Sequence, residues 1–198
     1  MNRYHSLPLP PGVPHAGVAS AACLAFTEGP ACDAVGNLYF ADIIGNRIMR
    51  LSAEGDCTVF REPSHRTNGQ TFDLQGRLYH CEGSEFGPGG GRRVTRTDLS
   101  TGQYEVITER YDGVRYNSPN DICVDGLGRV YFTDPCYGDR SIMEMAIEGV
   151  YRIDLDGRVT RILEQPAVQR PNGIAVTQDC RRLYLIDSCQ DAGGNRKV

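Results

Sequence analysis

The chain has 198 residues, of which 40% are hydrophobic and 23% charged, which allows one sizeable core or two small ones. The net charge of -4, with no block of lysine or arginine, argues against a nucleic-acid partner, because such proteins neutralise phosphates with a basic face. No apolar run approaches the length of a membrane-spanning helix, so we expect no membrane partner either. The 23 glycines, 11 prolines and 10 tyrosines favour many short strands joined by tight turns.

The first segment, residues 1–20, has prolines in every apolar run, whereas a secretory signal needs an uninterrupted apolar stretch of about 7–15 residues. We therefore expect an extended leader over 1–20 and one domain over 21–198. The eight cysteines form no C-x-x-C pair, and Cys81 and Cys123 replace apolar residues in strand-like runs. This spacing predicts buried, reduced thiols rather than disulfides or zinc ligands, and hence a reducing, cytoplasmic compartment.

One pattern then recurs four times along the chain. The copies are EGPACDAVGNLYFAD (28–42), NGQTFDLQGRLYHCE (68–82), NDICVDGLGRVYFTD (120–134) and NGIAVTQDCRRLYLID (172–187). Each begins with a polar residue that could serve as a ligand, and we call these the opening residues: Glu28, Asn68, Asn120 and Asn172. Each ends with an acid, and we call these the closing acids: Asp42, Glu82, Asp134 and Asp187. Between them, the first three copies contain a D-x-x-G turn.

Each copy predicts a hairpin, because a short apolar strand runs into a glycine-containing turn and a β-branched or aromatic strand runs back. Two more strand-like runs follow each of the first three copies, joined by turn sequences such as AEGD and DLDG. Four antiparallel strands per unit are the pattern of a β-propeller blade. The fourth copy has its hairpin and only the start of a third strand. We therefore predict an all-β, partial propeller of about three and a half blades, an open arc that lacks its C-terminal blades.

The opening residues should converge, since the first strand of a propeller blade lies beside the central channel. One carboxylate and several amide carbonyls around a common axis form an oxygen cage, which suits Ca²⁺ and could also take Mg²⁺ or Mn²⁺. Zn²⁺ fits less well, because no histidine or thiolate shares these positions. The alternative is that these residues serve only as turn formers. The closing acids either line the same mouth or bind turn amides.

The motifs EGP, TNGQTFDLQGRLYHCE, GRRVTRTD, RYNSPNDICVDGLGRVYFTDPCYG and RPNGIAV resemble the SMP-30/gluconolactonase/luciferin-regenerating-enzyme family over about residues 23–198. The resemblance implies a six-bladed propeller with a divalent metal, usually Ca²⁺, in the central channel. It implies Glu28, Asn120 and Asn172 as the metal ligands. The family's further ligand, an Asp in a later P-D-G motif that is also the proposed general base, has no match, which suggests a C-terminally truncated chain.

By the same resemblance, the parent protein hydrolyses a sugar lactone, a small-molecule substrate. Asn68 matches a pocket position and Arg115 a basic residue that could face the substrate, although Arg115 could equally be a solvated loop residue. Asp121, beside a ligand, is the one candidate base in the chain, and it could instead hold the ligand geometry. Two other classes stay open: a non-enzymatic propeller that serves as a binding scaffold, and a nonfunctional fragment.

Overall fold

The computed structural model describes Leu24, residues 26–86 and residues 89–198. The expected leader over 1–20 lies outside these residues. The described part consists of strands, apart from one short 3-10 helix over Arg140–Ile142. No helix within it is long and apolar enough to cross a membrane.

The strands form consecutive antiparallel sheets in chain order. The first sheet contains β1 (Thr27–Cys32), β2 (Leu38–Asp42), β3 (Arg47–Leu51) and β4 (Cys57–Arg61). The second contains β5 (Thr67–Phe72), β6 (Arg77–Glu82), β7 (Arg93–Asp98) and β8 (Tyr104–Thr108). A small hairpin follows, β9 (Arg110–Tyr111) with β10 (Val114–Arg115). The third sheet contains β11 (Ile122–Val124), β12 (Val130–Asp134), β13 (Gly149–Ile153) and β14 (Val159–Glu164). The fourth contains β15 (Pro171–Val176), β16 (Leu183–Ser188) and β17 (Arg196–Lys197).

This architecture confirms the predicted propeller of three four-stranded blades and part of a fourth. Each blade is a simple meander, and the first strands of successive blades, β1, β5, β11 and β15, lie side by side. We call these four the inner strands. The small hairpin β9–β10, which the repeat did not predict, lies between the second and third blades.

The D-x-x-G turns form because their aspartates bond to their own turns. In the second blade, Asp73 Oδ1 accepts hydrogen bonds from the backbone N–H groups of Gln75 and Arg77, both at 2.9 Å. Its other oxygen, Oδ2, accepts from Arg77 Nε at 2.7 Å. Gly76 closes the turn at φ +76°, where an L side chain is strained. Local chemistry therefore accounts for the far ends of the first three hairpins.

In the first two blades, close approach of the next inner strand requires glycine directly after the opening residue, at Gly29 and Gly69. A Cβ at Gly69 would lie 2.5 Å from the carbonyl oxygen of Asn120 and 2.6 Å from the Cα of Asp121. The Gly69 N–H donates to that same carbonyl at 2.6 Å, which ties the second blade to the third. The N-G pair of the repeat is thus an inter-blade contact and not only a turn.

The largest hydrophobic core lies between the second and third blades. Tyr116, Phe132 and Tyr151 are fully buried, with ring centroids 5.1–5.2 Å apart in edge-to-face and stacked arrangements that aromatic rings favour. Tyr116 directly precedes the segment that leads to Asn120. The core therefore anchors the entry to the third inner strand.

The cysteines within the described residues are all free, as expected. Cys81, Cys136 and Cys189 are buried, which confirms the prediction for these three. Cys57, Cys123 and Cys180 are half-buried and Cys32 is exposed, which corrects the prediction at these positions. Cys32 is the last residue of β1, the inner strand of the first described blade, so only the β5 side of that strand is covered by another described blade.

Candidate functional site

The opening residues stand at irregularities of the inner strands. Between Glu28 and Ala31, between Thr67 and Gln70, and between Pro171 and Ile174, the inner strand contains one residue more than its partner strand. Such a β-bulge bends the strand and redirects the side chains within it. The bulge follows Glu28 in the first blade, and it includes Asn68 in the second and Asn172 in the fourth.

The third blade shows the same geometry with an aspartate in place of glycine. The N–H of Asn120 donates to the carbonyl of Thr133 at 2.9 Å, and the N–H of Thr133 donates to the carbonyl of Asp121 at 3.0 Å. Two residues of the inner strand thus bond to a single residue of β12. This accounts for an Asn-Asp pair at the start of a strand, where both residue types are otherwise disfavoured.

Hydrogen bonds tie these bulges together into one region, which we call the mouth and define by Glu28, Asn68, Asn120 and Asn172. The third and fourth blades are joined by two of these bonds. The Ile174 N–H donates to Asp121 Oδ2 at 2.9 Å, and Thr133 Oγ1 donates to the Asn172 carbonyl at 2.8 Å. The Asp121 carboxylate is thereby held against the fourth inner strand. Burial raises its pKa above the ordinary value, an effect that the Ile174 N–H opposes.

The predicted ligands differ in exposure. Asn120 is buried, Asn172 is half-buried and Glu28 is exposed. Partial desolvation of the Glu28 carboxyl group raises its pKa, and the nearby charge of Asp121 adds to the effect. The Asn172 Nδ2 donates to the Tyr137 hydroxyl at 3.1 Å, which leaves its amide oxygen free to accept.

The two predicted substrate residues lie in different surroundings. Asn68 is buried in β5, and its side chain makes no hydrogen bond with any residue that the structure describes. Arg115 is half-buried in β10 and donates to the carbonyl of Gly91 at 3.0 Å. Asn68 therefore has unused hydrogen-bonding capacity at the mouth, whereas Arg115 braces the loop between β6 and β7.

The closing acids serve the structure of the blades. Asp134 accepts hydrogen bonds from the backbone N–H groups of Asn117 at 2.8 Å and Ser118 at 2.7 Å. Asp187 does the same one blade later, for two residues that precede β15. Because these acids are buried and their oxygens are occupied, they fix the entry of the inner strands instead of facing a ligand.

Glu82 is the closing acid with different partners. It pairs with Arg61 of the preceding blade at 3.1 Å and with Arg93 of its own blade at 2.6 Å, and it also accepts from the Tyr104 hydroxyl at 2.6 Å. Its side chain is longer by one methylene group, which suits this contact between blades. The two alternatives open for the closing acids are thus resolved in favour of structural hydrogen bonding.

The sequence pattern missed Glu85, which the structure places at the mouth. Its residue is only 9% exposed, and burial raises its pKa to about 7, with the charge of Glu28 as the next cause. Hydrogen-bond donation from the Tyr137 N–H and the Asn120 side chain lowers that pKa and so opposes the rise. Glu85 therefore lies beside two predicted ligands, although it belongs to no copy of the repeat.

Loop length is the signal that could have identified this residue. The loop between β2 and β3 spans only residues 43–46, whereas the corresponding loops of the second and third blades span 83–92 and 135–148. These two long loops carry Glu85 and Tyr137. Long loops on a rigid scaffold often carry functional residues.

The donor set fits a hard cation. Within the described residues, no three acids, histidines or cysteines lie close enough together to form a metal cluster. A cation at the mouth would therefore be held by carboxylate and amide oxygens together, the mixture that Ca²⁺ accepts. Acceptors at the mouth with capacity for it include the amide oxygen of Asn172 and the Oε1 of Glu85, which has no hydrogen-bond partner among the described residues.

Successive four-stranded meanders whose first strands converge on a polar mouth define the β-propeller class. Within that class, the chain belongs to the family described as SMP-30/Gluconolactonase/LRE-like region, whose sequence profile matches residues 26–192.

Individual relatives agree with this assignment. The chain is 31% identical over 187 residues to a gluconolactonase of Zymomonas mobilis, with 85% of this chain and 50% of the relative covered. A solved gluconolactonase from Xanthomonas campestris superimposes with a TM-score of 0.73 at 34% identity, covering 83% of this chain and 55% of that one. The calcium-binding protein regucalcin from Agrobacterium tumefaciens shares the fold, with a TM-score of 0.62 at 19% identity, covering 85% and 52%. The chain thus spans about half the length of these relatives.

Proposed function

We propose that the chain takes part in the divalent-cation-dependent hydrolysis of a sugar lactone, with Ca²⁺ as the preferred cation. The observation that supports the proposal is the mouth itself, where carboxylate and amide side chains of successive blades lie together and several oxygens, such as the amide oxygen of Asn172, have free acceptor capacity. The names of the gluconolactonase relatives support the reaction class, and that of regucalcin supports the cation.

Glu28, Asn120 and Asn172 are the residues proposed to hold the cation. When bound there, it would supply a positive charge that polarises the lactone carbonyl. The protein's own part is to fix these oxygens in place. Tyr137 does so for Asn172 by occupying its Nδ2, and the inter-blade bond from Gly69 does so for Asn120.

Asn68 is proposed to bind the substrate. Its buried side-chain amide has no partner among the described residues, and a sugar hydroxyl group can both donate to it and accept from it. Arg115 stays a weaker prediction, because it already donates to the Gly91 carbonyl.

Asp121 stays a candidate base, and its surroundings support a positioning role instead. Its Oδ2 accepts from the Ile174 N–H at 2.9 Å, so the carboxylate links the third and fourth inner strands. An Asp121→Asn variant separates the two roles. Near-normal turnover would favour positioning, whereas loss of turnover with unchanged cation affinity would favour the base.

The proposal is tested by assaying the purified chain on a panel of five- and six-membered sugar lactones, with Ca²⁺ and with a chelator. We expect hydrolysis that the chelator abolishes, and at least about a tenfold loss of kcat/KM in Glu28→Gln, because that change removes a charged ligand. Glu109→Gln, which removes an equal charge at an exposed ion pair, should leave activity unchanged. Cation-independent turnover, or no turnover and no cation binding, would contradict the proposal; the latter result would favour a binding scaffold.

A further inference from the structure

We propose that Glu85 is a further ligand of the cation at the mouth, supplied by the loop between β6 and β7. The inference rests on the proposed function and extends the ligand set beyond the opening residues of the repeat. It gives the mouth a second carboxylate, in addition to Glu28.

The first reason is an unsatisfied atom. Glu85 is 9% exposed, and its Oε1 is buried without a hydrogen-bond partner. A buried carboxylate oxygen with no donor is costly, and such atoms in native proteins call for an explanation. Glu85 lies beside Glu28 and Asn120, two of the proposed ligands, so a cation held by them would supply the partner that this oxygen lacks.

The second reason is the way the loop is held. Phe86 has φ +61°, and its ring packs on that of Phe26 with centroids 5.0 Å apart. Phe26 lies two residues before Glu28, so this contact brings the β6–β7 loop to the start of the first inner strand. On the other side, a Cβ at Gly138 would lie 3.8 Å from the Cγ of Glu85, so the side chain packs against the β12–β13 loop. Two separate contacts thus direct Glu85 to the mouth.

The third reason is that no basic side chain in the described region compensates Glu85. The arginines of the neighbouring loops are engaged elsewhere: Arg92 pairs with Glu144 at 3.1 Å, and Arg140 and Arg170 both pair with Glu148. The charge of Glu28 is close enough to raise the pKa of Glu85, and none of these arginines offsets it. A divalent cation would relieve that repulsion and satisfy the free oxygen in one step.

The test is cation binding by the full chain, measured calorimetrically with Ca²⁺ and by tyrosine-sensitised luminescence of Tb³⁺, for which Tyr137 is a nearby donor. We expect Glu85→Gln to weaken both affinities by about tenfold or more, since ligand charge sets affinity for such cations. In chelator, the same variant should melt at or above the wild-type temperature, because like-charge repulsion is removed. Glu85→Asp, which keeps the charge but shortens the side chain, should bind with intermediate affinity. Glu109→Gln is the charge-matched control.

The outcomes separate this inference from the proposed function. If Glu28→Gln loses the cation while Glu85→Gln binds within about twofold of wild type, the inference is wrong and the proposed function stands. If Glu85→Gln raises only KM for the lactone, Glu85 binds substrate, and the inference is again wrong. If the wild type binds no cation, both fail. A Glu85→Gln variant that melts lower than wild type in chelator would assign Glu85 a structural role and overturn the inference.

Discussion

Carboxylates stand at both ends of the inner hairpins, and their surroundings differ. At the turn end, Asp73 and Asp125 each accept two backbone N–H groups and one arginine from their own turn. At the mouth, Glu85 has an oxygen without a partner, and Glu28 has an acidic neighbour. The hydrogen bonds of Asp125 hold its pKa below the ordinary value, whereas burial raises those of Glu28 and Glu85.

The difference separates acids that stabilise the fold from the acids that we propose as cation ligands. An acid satisfied within a few residues stabilises the hairpin under all conditions in which it is charged. An acid held in place by distant contacts, with its acceptors unused, costs stability until something binds. Removing the charge should therefore lower the stability of the protein at the turn end and raise it at the mouth.

The largest effect is expected from a glycine pair in the second blade. Gly69→Ala places a methyl group 2.5 Å from the Asn120 carbonyl, so it should destabilise the protein by about 3 kcal/mol or more. Gly76→Ala at the turn end, where φ is +76° and nothing lies within 4 Å, should cost about 1–2 kcal/mol of backbone strain alone. Urea unfolding of both variants measures the difference. Equal losses would mean that the inner strands are not packed as described.

The pH dependence of Glu85 is the next largest effect. Its pKa of about 7 in the folded chain exceeds the ordinary 4.5, so the folded state holds a proton that the unfolded state has released. The cation-free wild type should therefore lose stability as the pH rises from 4.5 to 7. Glu85→Gln cannot titrate at this position, so it should not show this contribution to the loss. Near pH 8 the variant should be more stable by about 2–3 kcal/mol, and near pH 5 the two should be similar.

Unfolding curves of both proteins in chelator check this prediction. Comparing the two proteins cancels the contribution of Asp134, whose pKa burial also raises to about 7. A variant that is less stable than wild type at both pH values would contradict the expected sign.

The smallest effect is expected at a turn acid. Asp125→Ala removes the acceptor of the Leu127 and Arg129 N–H groups, so it should cost about 1–2 kcal/mol at neutral pH. Because the pKa of Asp125 is lowered in the folded chain, its contribution is present above 3.8 and is lost as the pH falls through the folded value. Thermal melts of the variant at neutral and acid pH measure both. If Asp125→Ala were more stable than wild type at neutral pH, the acids at the turn end would not differ from those at the mouth in their effect on stability.

Much of the fold could be predicted from the sequence, because a repeat multiplies weak local signals. The D-x-x-G turns, the hairpins and the blade count follow from residues close together in the chain. The roles of the closing acids could not be predicted, since a buried acid that binds amides and one that faces a ligand look alike in sequence. For Asp134, the deciding contacts are to Asn117 and Ser118.

The sequence by itself determined the class of the protein. It also predicted that the opening residues lie at one shared mouth, because Glu28, Asn68, Asn120 and Asn172 occupy the same position in each repeat. Only the tertiary structure decided which other residues lie at the mouth. Glu85 belongs to no repeat, and the contact of Phe86 with Phe26 brings it to the mouth. The physical reason is that a period in sequence records local geometry, whereas the partners of a loop are set by packing between blades.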